Sequence, residues 1–108
     1  MRNSKNTIFD SAVVSPGATS YSSVVDLSNL FGYSAQLNLS GASAAGTAFL
    51  QGSNDNVTFV KVLNSDQAFA AAGNILYEYN DSYFQYFRVG ITASGTTTVS
   101  CIFFAKGV

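Results

Sequence analysis

Six carboxylates, one thiol and one arginine inside a β-forming run are the residues of this 108-residue chain whose chemistry is worth weighing first. Histidine and tryptophan are absent. A Ser–His–Asp or Cys–His arrangement therefore cannot be assembled within the chain, nor can any metal site that uses imidazole. The carboxylates, Asp10, Asp26, Asp55, Asp66, Glu78 and Asp81, fall mostly in turn-like stretches, where an acidic side chain bonds its own backbone. A pair of them flanking a sugar would be the minimum for glycoside hydrolysis. The oxygens of Asn54-Asp55-Asn56 are the best set for calcium, but no EF-hand spacing is present, and a turn explains the triplet more simply. Cys101 alternates with Val99 and Phe103, which directs it into a core as a small hydrophobe. Arg88 is the charge inside a strong β run; it either makes an ion pair at an interface or points outward on a solvated face. No catalytic apparatus emerges. The expectation is a non-enzyme without cofactor or metal.

Composition points the same way. Charged residues are 10% of the chain, against roughly 25% in ordinary soluble proteins. Nearly half the residues are hydrophobic, and about a third are Ser, Thr, Asn or Gln, so the surface is mostly hydroxyl and amide. Such a surface loses little on being covered, which suits a subunit packed among others. The net charge of −1, with Arg2, Lys5, Lys61, Arg88 and Lys106 scattered, argues against nucleic acid as a partner. No apolar run reaches the roughly 20 residues of a helical membrane span, and the first six residues lack the apolar centre of a secretory signal. A single cysteine leaves stability to packing. A protein made and folded in a cytoplasm is expected. The triplets Asn38-Leu39-Ser40, Asn56-Val57-Thr58 and Asn80-Asp81-Ser82 then arise by chance in an Asn- and Ser-rich chain.

The elements that must position these groups read as strands. Residues 1–6 are polar and are expected to be a flexible arm before a single domain spanning 7–108. Thr7–Val14 is a first strand, ended by the turn signal Ser15-Pro16-Gly17. Tyr21–Leu27 is a second, and 28–32 connects onward with room for one helical turn. Tyr33–Ser40 alternates most cleanly, Tyr33, Ala35, Leu37 and Leu39 against Ser34, Gln36, Asn38 and Ser40. Gly46–Leu63 reads as a hairpin about Asn54-Asp55-Asn56. A three-residue loop with left-handed Asn56 pairs Leu50 with Val60, Ala48 with Val62 and Gly52 with Thr58, which sorts the faces better than a two-residue loop. Residues 64–73 read as a loop, with or without a helical turn opened by Ser65-Asp66 and stopped by Gly73.

Two more pairs follow. Asn74–Tyr79 pairs with Tyr83–Ala93 about Asn80-Asp81-Ser82, and Tyr83–Ala93 pairs with Thr96–Ala105 about Ser94-Gly95. In the second, left-handed Gly95 aligns Val89 with Val99, Phe87 with Cys101, Ile91 with Thr97 and Arg88 with Ser100. About eight strands at short spacing, with little room for helix, predict an all-β, single-domain antiparallel β-sandwich, a jelly roll or related Greek key. In these registers Phe49 and Phe59 share the outer face of the central hairpin, and Tyr86 and Phe84 lie opposite Ile102 and Phe104, in that order, on the second face of the last pair. Apolar groups on both faces of a sheet are covered either by a neighbouring molecule or by a long segment of the same chain. The first alternative makes Phe49, Phe59, Phe84, Tyr86 and Arg88 candidate interface residues.

The runs Val25-Asp26-Leu27, Gly32-Tyr33-Ser34-Ala35-Gln36-Leu37, Gly46-Thr47-Ala48-Phe49-Leu50-Gln51-Gly52-Ser53-Asn54-Asp55, Tyr86-Phe87-Arg88-Val89, Ser94-Gly95-Thr96 and Lys106-Gly107 are spread over about residues 20 to 107. Together they resemble small β-sandwich proteins of tailed-phage structural modules. The resemblance implies a jelly-roll or discoidin-like sandwich and a virion component, such as a capsid decoration or head–tail protein. Its implied partners are copies of itself and other virion proteins such as the major capsid protein. The chain departs from the pattern in having Asn56 after Ser-Asn-Asp where glycine is common. Phe59 also stands where tryptophan is common, and Leu39-Ser40-Gly41 replaces Trp-Thr-Gly. The missing indoles bear on the competing reading, a carbohydrate-binding module with a surface glycan as partner and Tyr and Phe as sugar platforms.

Overall fold

The computed structural model describes residues 2–27, 30–79 and 84–107. Among them are ten strands and no helix: β1 Arg2–Val14, β2 Thr19–Tyr21, β3 Val25–Asp26, β4 Leu30–Ser40, β5 Ala45–Ser53, β6 Val60–Lys61, β7 Gln67–Phe69, β8 Gly73–Tyr79, β9 Tyr86–Gly95 and β10 Thr97–Gly107. A first sheet has the order β1-β10-β4-β8. The second runs β2-β9-β5-β6, with β3 also on β9 and β7 also on β5. All pairs are antiparallel. Counting β2/β3 and β6/β7 as one position each gives eight positions in two four-stranded sheets, the arrangement of a jelly roll.

Alternation explains the layers. In β4 the buried residues are Tyr33, Ala35, Leu37 and Leu39, as expected from the pattern. The central strand β10 turns Val99, Cys101, Phe103 and Ala105 inward, and β9 answers across the core with Phe87, Val89 and Ile91. Three rings tie the sheets together: Tyr33 lies 5.0 Å from Phe87 and 5.8 Å from Phe103, and the two phenylalanines are 5.5 Å apart. Cys101 sits in this core, and burial pushes its thiol up to about 12.

The connectivity differs from the expected hairpins. Strands β9 and β10 do not pair; they belong to opposite sheets. Val89 and Val99 would be side-by-side neighbours in a hairpin and are facing layers in a sandwich, and the same alternation serves both. One residue, Thr96, separates the two strands, and Gly95 is not left-handed. The corner is held by fully buried Thr97, whose hydroxyl donates to Gly95 O at 2.9 Å and accepts from Ala45 N at 3.3 Å. Likewise β8 pairs with β4 rather than β9. The turn expected between β8 and β9, at 80–82, lies outside the described residues, as do 28 and 29 of the expected 28–32 connection.

The hairpin of β5 and β6 forms with a two-residue shift, Gly52 opposite Val60 and Gln51 opposite Lys61. An even shift leaves every side chain on its expected face. The longer loop arises because Asp55 organises it, as described below, with Asn56 left-handed at φ 60°. The main partner of β5 is β9, paired from Ala45 to Ser53. Residues 64–73 contain β7 and no helical turn. Ser65 is buried, its hydroxyl accepting from Leu50 N at 3.1 Å and donating to Val62 O at 2.7 Å, so it serves the edge of β5 instead of capping a helix. The expected second strand is broken into β2 and β3. Residues 2–6, expected as an arm, belong to β1 and pair with 103–107 of β10. Polar residues suffice there because the flank of β10 needs backbone partners, not apolar side chains.

Candidate functional site

The outer face of the second sheet brings three aromatic side chains, Tyr21, Phe49 and Phe59, together with the cationic Lys61 and Arg88. Period-two geometry aims Tyr86, Arg88, Gly90 and Thr92 of β9 outward, beside Thr47, Phe49 and Gln51 of β5 and Thr19 and Tyr21 of β2. Lys61 of β6 joins the row of Gln51 and Arg88. At the far end of the face Thr19 and Thr92 share a hydroxyl hydrogen bond of 2.9 Å.

Arg88 is the centre of the cluster. Its Nε donates to Gln51 Oε1 at 2.7 Å. Its guanidinium carbon lies 3.9 Å from the ring centroid of Tyr21 and 4.1 Å from that of Phe59, both within the range of a cation–π contact. A planar, weakly hydrated cation suits this stacking better than an ammonium does. No carboxylate is within ion-pair distance of Arg88 among the described residues. The ion pair seen there, Lys61 with Asp66 at 3.1 Å, is well exposed and contributes little.

Glycine shapes the floor. Phe49 lies across Gly90, where an added Cβ would collide with its ring. Tyr21 meets Phe49 edge-on at 6.3 Å, and Lys61 Nζ sits 4.8 Å above it. Phe49 thus points outward as the alternation requires, yet is only 6% exposed. Its cover comes from its own chain.

The five expected interface residues separate into two places. Phe49, Phe59 and Arg88 come together, and half-buried Tyr86 stands in the next row between Asp26 and Ser53. Phe84 does not join them: its ring packs under Gly52, whose Cβ would approach its Cγ to 2.6 Å. Ile102 and Phe104, expected opposite Phe84 and Tyr86, lie on the outer face of the first sheet. Tyr21, Gln51 and Lys61 were missed. Gln51 and Lys61 had the right parity to be found, whereas Tyr21 reaches the site only because β2 pairs with β9, which no local pattern announces.

A cleft of about 360 Å³ lies beside Phe84, lined by Gly52, Ser53, Asn54, Val60 and Val62 among others. The adjoining turn is organised by Asp55, whose Oδ1 accepts from Ser53 Oγ at 2.9 Å, Val57 N at 2.9 Å and Thr58 N at 2.8 Å. These bonds, led by Thr58 and Val57, hold its carboxyl below its ordinary value. Asn54 Oδ1 accepts from Gln85 N. Two of the oxygens weighed for calcium, Asn54 Oδ1 and Asp55 Oδ1, are thus engaged at the turn, and no group of three metal-ligating side chains occurs among the described residues. Asp26, Glu78 and Asp66 lie on separate parts of the fold, and Asp81 lies outside the described residues. The site offers flat aromatic and guanidinium faces and amide groups. Flat faces and amides of this kind can stack on and hydrogen-bond to a partner.

No protein-family model and no curated protein matches the chain. Solved structures are similar in fold. The SPBc2 prophage-derived protein YomS is 10% identical with a TM-score of 0.61, over 96% of each chain. The structure of infectious bursal disease virus Gx strain matches 96% of this chain at 12% identity and a TM-score of 0.65, covering 31% of the viral chain. A carbohydrate-binding module from Cellvibrio mixtus lichenase 5A, solved with cellotriose, is 12% identical with a TM-score of 0.51, over 98% of this chain and 88% of its own. These likenesses agree with the sandwich architecture derived above from register and burial.

Proposed function

We propose that the chain is a non-enzymatic virion structural protein of a bacteriophage, a capsid decoration or head–tail component that self-associates and docks on the particle. The observation that carries this reading is the Tyr21–Arg88–Phe59 stack on an otherwise charge-poor molecule. Tyrosine and arginine, half-desolvated and rigidly held, are what the energetic centres of protein interfaces are made of. Tyr21, Phe59, Tyr86 and Arg88 make the contact, Phe49 braces it from beneath, and Phe84 supports the neighbouring loop. A standard contact covers about 1,600 Å² in total. The fold shared with a prophage-derived protein and a virus structure supports the reading. The virion is then the working location, and the major capsid protein a natural partner.

The test is co-sedimentation of the purified chain with phage particles lacking it. Saturable binding that Arg88→Ala and Tyr21→Ala each weaken at least about tenfold is the expected result. Binding to no particle, or binding indifferent to both variants, sinks the proposal. The second reading, a carbohydrate-binding module, is favoured by 45%-exposed Tyr21 beside Gln51 and by the fold shared with the cellotriose-bound module. Saturable, sugar-competable glycan binding lost in Tyr21→Ala would select it.

A further inference from the structure

The two sheets have four outer edges among the described strands, and three are blunted against further pairing. The β1 edge carries Lys5 and is interrupted by register shifts around Phe9, with Ser11 left-handed at φ 51°. One side of the second sheet ends in β2 and β3, three and two residues long, and the other in β6 and β7, two and three residues long. Short strands, edge lysines and bulges are how sheets prevent pairing with other chains. Strand β8 has none of these. It runs seven residues, Gly73–Tyr79, pairs with β4 without a register shift, and contains neither lysine nor proline. No strand flanks its other side among the described residues.

Its middle residue is Leu76, 61% exposed on the outer face. Leu76 stands opposite Gln36 of β4, with Asn74 and Glu78 as same-face neighbours along β8. Its own chain offers it no apolar neighbour along that strand or across the β4 pair.

We infer that the β8 edge is a homodimer interface in which β8 pairs antiparallel with β8 of a second copy, about a two-fold axis at Leu76. Parity and overlap select this register. Pairings in which the two residue numbers sum to an odd value would turn the partner's core to the wrong side of the continued sheet. Of the even registers, centring on residue 76 pairs all seven strand residues, whereas centring on 75 or 77 pairs five. The chosen register sets Leu76 against Leu76 of the second copy, Ile75 against Tyr77, and Asn74 against Glu78. Apolar meets apolar, and the glutamates do not face each other. An interface that matches itself under a two-fold axis is what a second copy, always present at equal concentration, can satisfy. The product is a continuous eight-stranded sheet whose outer face carries a paired leucine at its centre. This inference is independent of the virion reading, which concerns the opposite sheet.

Sedimentation of the full chain as a function of concentration tests it. A species of twice the 11.4 kDa chain mass is expected, weakened at least about tenfold by Leu76→Lys, which sets like charges against each other on the axis. Leu76→Cys gives an independent readout. Directly paired Cα atoms in an antiparallel ladder lie about 4.5–5.5 Å apart, within the ~4.4–6.8 Å span of a disulfide. Mild oxidation should cross-link it quantitatively, while Phe104→Cys, on the same outer face but on β10, stays uncoupled; native Cys101 is buried and does not interfere. A chain monomeric at its highest soluble concentration overturns the inference. So does a dimer indifferent to Leu76→Lys, or a Leu76→Cys variant that cross-links no faster than Phe104→Cys. Loss of particle binding in Arg88→Ala with the dimer intact would separate this surface from the one on the second sheet.

Discussion

The two outer faces of this sandwich are built on the same pleat over the same core, and they are chemically unlike. The first sheet presents rows of Ser34, Gln36, Asn38 and Ser40 beside Thr98 and Ser100, relieved by Leu76, Ile102 and Phe104. The second presents Tyr21, Phe49, Phe59, Lys61 and Arg88 in mutual contact. On the first face each side chain meets its row neighbours and solvent. On the second, long side chains lie down across one another, made possible by Gly90, and form a thin outer layer above the sheet. The lesson is that an apolar residue on a solvent face is not thereby available. Phe49 is nearly as buried as a core residue, while Phe104, less apolar in its surroundings, remains 36% exposed.

That contrast can be broken by truncation. Phe49→Ala is expected to cost about 3 kcal/mol, a core-like value, and Phe104→Ala about 1 kcal/mol or less. Urea unfolding of both variants checks it; equal costs would mean that the layer over the second sheet contributes no packing. Gly90→Ala should destabilise by about 1–3 kcal/mol, because the new methyl must displace the Phe49 ring. Combined with Phe49→Ala its cost should largely vanish, and a double-mutant cycle without coupling would rule the steric account out. Arg88→Lys retains the charge but loses the planar stack and the Nε bond to Gln51. A loss of about 0.5–2 kcal/mol is expected, against nothing measurable for Gln36→Lys on the first sheet.

The smallest effect is one of pH. The native carboxyl of Asp55 lies below its ordinary 3.8, so the unfolded chain takes up the proton first. The stabilisation from its turn is therefore fully present above that value and is lost as pH falls through the native one. As pH falls from about 5 through the ordinary carboxylate range, the urea midpoint of the parent chain should drop more steeply than that of Asp55→Asn. Parallel curves would show that the turn does not depend on the charge.

Much of this is legible in the sequence. The alternation in Tyr33–Ser40 named the buried face of β4, the spacing of Val99, Cys101 and Phe103 named that of β10, and Asn56 marked a left-handed turn residue. Phe49 and Phe59 were drawn together by parity within one hairpin, which survived a two-residue shift because that shift preserves faces; Arg88 belonged to a different expected pair and joins them because β9 pairs with β5. What failed was pairing between adjacent strands. Val89 and Val99 satisfy a hairpin and a facing pair of sheets equally well, so nothing local could separate β9 from β10. The polar start of β1 gave no sign of being a strand, because an edge strand is held by its backbone.

The residue pattern alone determined the all-β class, which side chains of the long strands face inward, and the scarcity of charge on what remains, since these follow from period-two geometry and composition. The tertiary structure alone decided which strands are neighbours. That choice placed Tyr21 over Arg88, hid Phe49, sent Phe84 beneath Gly52 and left β8 at the edge of the described first sheet. Pairing is set by contacts between residues far apart in the chain, where many arrangements bury the same faces and only the packing of the whole core and the closure of every connection distinguish them.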